Sequence, residues 1–182
     1  NRLQVNGNGD ISFYDTAGTT EKFFWDASAE SLGIGTSSPS TELHVLKSGS
    51  DADVTIEGTG TGVDARINLY ANSTGVSQIR FGDEADTNIG LLTYDHSDDS
   101  MQFRTNNSER MRLDASGNLL VGKTATGIGT VGAELKSTGE LLATVNNDAC
   151  AFLNRKSSDG DIAVFRKDNT TVGSIATQNG EI

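Results

Sequence analysis

Residues 26–36 read Asp-Ala-Ser-Ala-Glu-Ser-Leu-Gly-Ile-Gly-Thr, and residues 114–124 read Asp-Ala-Ser-Gly-Asn-Leu-Leu-Val-Gly-Lys-Thr. The aspartates that begin these two stretches are 88 positions apart. The similarity continues downstream at a spacing of 84, where Leu69, Ser73, Phe81 and Thr87 correspond to Leu153, Ser157, Phe165 and Thr171. An internal repeat describes an architecture before it describes a site. The two spacings therefore indicate two copies of one unit that differ by a small insertion.

Short runs in which apolar and polar residues alternate occur in both copies. Such alternation is typical of strands with one buried face, and it occurs at Ile11/Phe13, Leu43/Val45, Val54/Ile56, Ala65/Ile67/Leu69, Ile79/Phe81, Met101/Phe103, Met111/Leu113, Leu141/Ala143/Val145 and Ile162/Val164. Clusters of Gly, Asn, Ser and Asp between the runs predict turns, and no helical stripe lasts three turns. The sequence therefore predicts an all-β protein with a lead-in over residues 1–10, a first repeat unit over residues 11–92 and a second over residues 93–182.

The composition supplies little material for a compact core. Only 35% of the 182 residues are hydrophobic and 6% are aromatic, whereas 21 residues are Gly. The regular spacing of the apolar residues nevertheless argues against disorder. Inward positions of the predicted strands are often Ala, Thr or Ser, which fit a narrow axis shared by several chains. We therefore expect the missing burial to come from neighbouring chains in an oligomer.

Charge and hydropathy narrow the range of partners. The formal net charge of −11 would repel a nucleic acid, and no basic stripe offsets it. No run of about 18 apolar residues and no basic segment before an apolar one occurs, so we expect no membrane insertion. The single Cys150 cannot form a disulfide within the chain.

Residues 117–124 match the G-x-x-x-x-G-K-T phosphate-loop pattern. Such a loop must follow a buried strand and begin a helix, whose N-terminus holds the phosphates. Here residues 118–121 are typical of a strand, and the Gly-rich residues 125–132 do not favour a helix. The first repeat copy keeps the turn without the lysine. We therefore expect no nucleotide and no other cofactor at this motif.

Acidic side chains cluster in several of the predicted turns. Asp95, Asp98 and Asp99 are the candidate metal ligands, since carboxylates suit a hard cation such as calcium. The fixed Gly and the terminal Glu of a calcium loop are missing, so we expect solvated turn acids rather than a metal site. His44 alternates with Leu43 and Val45, which predicts a position on the wet face of a strand.

Aromatic residues can anchor a subunit interface or stack on sugar rings. Trp25 lies in the densest aromatic stretch and next to the repeat turn, which favours packing between subunits. We assign the same role to Phe81, Phe103 and Phe165. Tyr70 and Tyr94 fall on outward positions of predicted strands and are the candidates for contact with a receptor.

Residues 32–45, Leu-Gly-Ile-Gly-Thr-Ser-Ser-Pro-Ser-Thr-Glu-Leu-His-Val, resemble a phrase common in bacteriophage tail fibres and tailspikes, and so do residues 109–122, Glu-Arg-Met-Arg-Leu-Asp-Ala-Ser-Gly-Asn-Leu-Leu-Val-Gly. In such proteins these phrases lie upstream of a C-terminal intramolecular chaperone of the endosialidase type. Residues 165–175 look like the stretch that precedes this chaperone, which is itself absent from the sequence. Similar phrases also occur in some bacterial surface proteins.

The resemblance implies an elongated homotrimer of short strands, with segments like a triple-stranded β-helix or a β-prism. It also implies a place in the virion, in a tail fibre joined to upstream tail proteins. We expect this part to adsorb to a glycan or protein on the bacterial surface, without enzymatic activity. Two alternatives remain, a passive shaft spacer and a tailspike depolymerase. A depolymerase would need two carboxylates at a set separation, which the sequence does not place.

Overall fold

The computed structural model describes residues 2–178 and confirms the all-β prediction. This part of the chain contains no helix, and hence none long and apolar enough to cross a membrane. Its strands are β1 Leu3–Val5, β2 Ile11–Tyr14, β3 Glu21–Asp26, β4 Ser31–Ile34, β5 Leu43–Val45, β6 Val76–Phe81, β7 Gly90–Asp95, β8 Ser100–Thr105, β9 Ser108–Leu113, β10 Leu119–Val121, β11 Gly132–Leu135, β12 Leu141–Thr144, β13 Gly160–Lys167 and β14 Thr170–Thr177.

The strands form three sheets in which sequence neighbours are also sheet neighbours. β1 to β5 make a five-stranded sheet, β6 to β12 a seven-stranded sheet, and β13 pairs with β14. Two compact units divide between Ile67 and Asn68, with the five-stranded sheet in the first and the other two sheets in the second. The repeat boundary expected at residues 92 and 93 lies inside β7, whereas the compact units divide earlier. The limits of the sequence repeat stay a prediction.

Turns built on a left-handed residue connect several of the antiparallel strands. In the turn between β9 and β10, the amide of Gly117 donates to the carbonyl of Asp114 at 2.9 Å, and the amide of Asp114 donates to the carbonyl of Asn118 at 3.0 Å. Gly117 has a φ of 80°, a conformation that costs a residue with a Cβ. The same pair of hydrogen bonds closes the turns over residues 6–10 and 136–140. Three residues thus suffice to reverse the chain at each of these turns.

Both copies of the repeat fold into the same kind of hairpin. In the first copy, Asp26 accepts hydrogen bonds from the amides of Ser28 and Ala29 at 2.9 and 3.0 Å. In the second copy, Asp114 accepts from the amides of Ser116 and Asn118, both at 2.9 Å. The repeated aspartate therefore holds the turn through its carboxylate, which explains why it begins both stretches.

The second strand of each repeat hairpin ends at a glycine. The amide of Gly35 donates to the carbonyl of Lys22 and the amide of Gly122 donates to that of Arg110, both at 2.9 Å. These glycines are 87 positions apart, one fewer than the aspartates, because the turn after Asp26 is one residue longer. By structure, Lys123 of the second copy therefore corresponds to Thr36 of the first.

The two copies differ after this glycine. β5 runs parallel to β4 after a connection of only residues 35–42, although parallel neighbours usually need a dozen residues or more. Gly33 allows this tight return, because a Cβ there would collide with the carbonyl oxygen of Thr36. In the second copy, β11 instead pairs with β10 in the antiparallel direction.

Most of the predicted strands are present, and two of them do not form within the described chain. β2, β5, β6, β8, β9, β12 and β13 contain the predicted alternating residues, except that Val145 lies beyond β12. The runs at Val54/Ile56 and at Ala65/Ile67/Leu69 are irregular and exposed. Both alternate as predicted, but among residues 2–178 they have no neighbouring strand to pair with. Alternation alone does not make a strand, because a strand also needs a partner for its backbone.

Replacing Gly117 by Ala is expected to lower the free energy of unfolding by about 1 to 2 kcal/mol, because alanine is strained at positive φ. Gly129→Ala is the control, since Gly129 has no positive φ and open space around its Cα. Chemical denaturation of both variants measures the difference. Equal stability of the two variants would contradict the assigned role of the turn.

Candidate functional site: two uncovered apolar faces

One face of the seven-stranded sheet is apolar across its whole width. Directly paired residues of neighbouring strands point to the same side of a sheet, so the strand register defines two rows of side chains. The first row is Ile79, Leu92, Phe103, Met111, Val121, Ala133 and Ala143, and the second is Tyr94, Met101, Leu113, Leu119, Leu135 and Leu141, with Ser77 at its end. We call these two rows the large apolar face.

Nothing in the described part of the chain buries the large apolar face. Leu113 is 45% exposed and Leu141 is 78% exposed, and no residue of the two rows is fully buried. The buried hydrophobic residues of the described chain are Leu91 and Leu120, and both point to the opposite side of the sheet. The side with most of the apolar surface is thus the side without a covering layer.

The five-stranded sheet has the same arrangement. Its first row is Val5, Ile11, Trp25, Leu32 and Leu43, and its second row is Leu3, Phe13, Phe23, Ile34 and Val45. We call these rows the small apolar face. Phe13 and Phe23 meet edge to face with ring centroids 5.2 Å apart, yet Phe13 remains 45% exposed. On the other side of the sheet Ser12 and Gly33 are buried.

The accessible surface gives the size of the missing burial. The chain exposes 13616 Å². Two separate compact units of the same total mass would together expose about 10,000 Å² by the usual scaling of surface with mass. The difference of about 3,600 Å² per chain comes from the apolar faces and the exposed irregular segments together, and it is comparable to the area that a large subunit interface buries. The chain therefore has enough uncovered surface for an extensive interface.

A buried ion pair holds the connection between β10 and β11. The Lys123 ammonium donates to Glu134 Oε2 at 3.1 Å and to the carbonyl of Gly127 at 2.6 Å, and both charged side chains are almost completely enclosed. The amide of Gly127 donates to Glu134 Oε2 at 2.8 Å. This hydrogen bond from Gly127 lowers the pKa of Glu134, and the neighbouring Lys123 lowers it further. Burial of the carboxylate raises the pKa by less, so the pKa stays below its ordinary value. Glu134 Oε1 has no hydrogen-bond partner among the described residues.

This geometry accounts for the phosphate-loop pattern. Residues 119–121 form β10, as predicted, and residues 123–131 contain no helix whose N-terminus could hold a phosphate. Lys123 is committed to Glu134 and Gly127, so its ammonium is not directed at a ligand. In this chain Lys123 instead holds the connection between β10 and β11 against the sheet, through its bonds to Gly127 and Glu134.

The candidate metal ligands each bind a different partner. Asp95 accepts from Ser97, Asp98 from Arg112 at 3.3 Å, and Asp99 from the Tyr94 hydroxyl at 3.1 Å. The hydroxyl and then the amide of Ser97 hold the pKa of Asp95 below its ordinary value. Within residues 2–178, no three acidic, His or Cys side chains gather around a common point.

The two receptor candidates lie in different settings, since Tyr70 is not on a strand and Tyr94 is on the uncovered side of one. Tyr70 is in an irregular segment and is 89% exposed. Tyr94 is in β7, on the large apolar face, with its ring 4.9 Å from that of His96. The hydrogen bond to Asp99, followed by burial and the charges of Asp99 and Asp98, raises the pKa of Tyr94.

Two of the four residues assigned to packing lie in the rows of the apolar faces, Trp25 in the small apolar face and Phe103 in the large apolar face. Phe81, at the end of β6, points to the same side of the seven-stranded sheet as Ile79. Phe165 is exposed on β13. Their role between subunits stays a prediction. His44 is half-buried while its neighbour Leu43 is exposed, so the expected burial of these two residues is reversed.

Sequence reasoning missed the continuity of the apolar rows. It did not single out Leu92/Tyr94, Leu119 with Val121, or Ala133 with Leu135, although these pairs also alternate. The side of the sheet to which these residues point depends on the register between the strands, and the sequence pattern does not give that register. No family model matches the chain, and the search of curated proteins gives no match.

Replacing Lys123 by Met is expected to lower the denaturant midpoint of unfolding, because Glu134 would stay enclosed without its cation. The double variant Lys123→Met/Glu134→Leu should recover most of the loss, since neither charge remains. Lys136→Met is the matched control, because the Lys136 ammonium lies 4.0 Å from Glu140 in a more exposed pair. A loss no larger than that of the control would contradict a structural role for the pair.

Proposed function

We propose that this chain is part of a homotrimeric bacteriophage tail fibre that adsorbs to a glycan or protein on the bacterial surface. The observation that carries the proposal is the presence of two sheets whose apolar faces nothing in the described chain covers. A stable domain normally packs two layers around one core. Each sheet here supplies one layer, so copies of the chain are its natural second layer.

Three copies around an axis meet this requirement for each sheet separately. Each apolar face would lie against its counterparts, in a closed symmetric assembly that leaves the opposite, more polar face in water. The small side chains Ala133 and Ala143 in the first row suit close approach to an axis. The resemblance of residues 32–45 and 109–122 to tail-fibre phrases supports three copies rather than two.

Adsorption is the second part of the proposal. If the large apolar face packs between copies, Tyr94 becomes part of the interface, and Tyr70 is then the exposed aromatic candidate for contact with a receptor. Three copies would present Tyr70 three times, so a weak single contact gains strength through avidity. A net charge of −11 per chain keeps such an assembly soluble.

Replacing Leu113 by Asp tests the assembly. In a single chain this half-exposed position tolerates the change within about 0.5 kcal/mol, but in the trimer it would place three carboxylates in the apolar interface. Native mass spectrometry should give three times 19.2 kDa for the wild type and 19.2 kDa for the variant. Arg110→Ser, also exposed on β9, should leave the trimer intact. A wild-type dimer or monomer would contradict the proposal.

Adsorption to a panel of bacterial strains and surface glycans tests the function. Tyr70→Ala should weaken adsorption more than about tenfold, since three contacts of 0.5 to 1.5 kcal/mol each are lost, whereas Tyr70→Phe keeps the ring and should adsorb almost normally. A trimer that binds nothing would be a passive shaft spacer. Release of oligosaccharides from capsule or lipopolysaccharide would identify a depolymerase instead.

A further inference from the structure

Two irregular segments occupy the same place in the two copies of the repeat. Residues 64–70 read Asp-Ala-Arg-Ile-Asn-Leu-Tyr, and residues 148–154 read Asp-Ala-Cys-Ala-Phe-Leu-Asn. Both begin with Asp-Ala and are 84 positions apart, the spacing of the downstream repeat. Each precedes an antiparallel strand pair, β6 with β7 and β13 with β14. We call them the unpaired segments.

The composition of the unpaired segments is that of strands rather than of linkers. Flexible linkers are rich in Gly, Ser or Pro, but neither segment contains any of these residues. Apolar residues alternate in the first segment, at Ala65, Ile67 and Leu69, which is the pattern of a strand with one buried face. Residues 149–153 of the second segment are all apolar, which is consistent with a strand buried on both faces.

Neither segment is paired with another strand in the described part of the chain. Every residue of both segments is exposed, with Ile67 at 69% and Phe152 at 81%. Among the described residues, no backbone hydrogen bond joins either segment to a strand. The contact of Leu69 with the neighbouring strand is a bond from the Ser77 hydroxyl to its carbonyl, at 3.1 Å, rather than a ladder bond.

We infer that the unpaired segments are strands that form only between copies of this chain. A segment with the composition of a strand occurs at the same place in both repeat copies, and a second copy of the chain in parallel register would offer each segment an identical partner. A sheet edge is available too, since β6 and β12 each lack a neighbour on one side. The inference rests on the oligomer proposed above and adds backbone pairing between copies to the packing of apolar faces.

Pairing between copies gives each side of the first segment a role. Ala65, Ile67 and Leu69 would turn toward the shared core, since alternate side chains of a strand point to opposite sides. Arg66, Asn68 and Tyr70 would then point outward. The strand would fix the backbone of Tyr70 while leaving its ring accessible, as contact with a receptor requires.

Amide hydrogen exchange on the full chain, with native mass spectrometry of the same sample, tests the inference. Amides of both unpaired segments should exchange at least about tenfold more slowly than an unstructured chain, because ladder hydrogen bonds protect them. A trimer in which both segments exchange at the unstructured rate would overturn this inference and leave the proposed trimer standing. A monomer would overturn both, whether or not the segments are protected.

Variants separate pairing between copies from pairing within one chain. Leu69→Asn and Leu153→Asn change the apolar rows of the two segments, and the adjacent Asn68→Ser and Asn154→Ser are their controls. Each leucine variant should lose the protection of its own segment, while the trimer held by the apolar faces remains and the controls keep both. Protection that survives in the leucine variants, or in the monomeric Leu113→Asp variant, would overturn the inference.

Discussion

The structure depends on one constraint, the concentration of most apolar side chains of the five-stranded and seven-stranded sheets on a single face of each sheet. Alternate side chains of a strand point to opposite sides, and the registers align these rows across five strands in one sheet and seven in the other. Burial of apolar surface is the main favourable term in folding. Because the described chain covers neither face, its stability is coupled to whatever covers them, and copies of the same chain would make that stability depend on concentration.

The turns control this alignment. A shift of one residue between two strands would move every apolar side chain of one strand to the wrong face. The three-residue turns around Gly117 and Gly139 allow one register each, because the left-handed glycine and its two hydrogen bonds fix where the chain reverses. The carboxylates of Asp26 and Asp114 reinforce the repeat hairpins. Turn chemistry thus determines which surface of the sheet becomes apolar.

The two repeat copies show how one hairpin can have two continuations. In the first copy, Gly33 lets the chain pass close to the sheet and return as the parallel strand β5. In the second, the structurally corresponding residue is Leu120, and the following connection is held by Lys123 and Glu134 over the side opposite the large apolar face. The buried ion pair therefore belongs to the part of the second unit that differs from the first.

The sequence by itself determined the all-β class, most of the strands and the repeated hairpin, because alternation and turn residues are local signals. It also indicated a shortage of core, since composition needs no coordinates. Only the tertiary structure decided that Lys123 pairs with Glu134, that Leu92 and Leu135 share one face, and that residues 64–70 lack a partner within the described chain. These properties depend on which distant strands lie side by side and in which register, and a local pattern of residues does not contain that information.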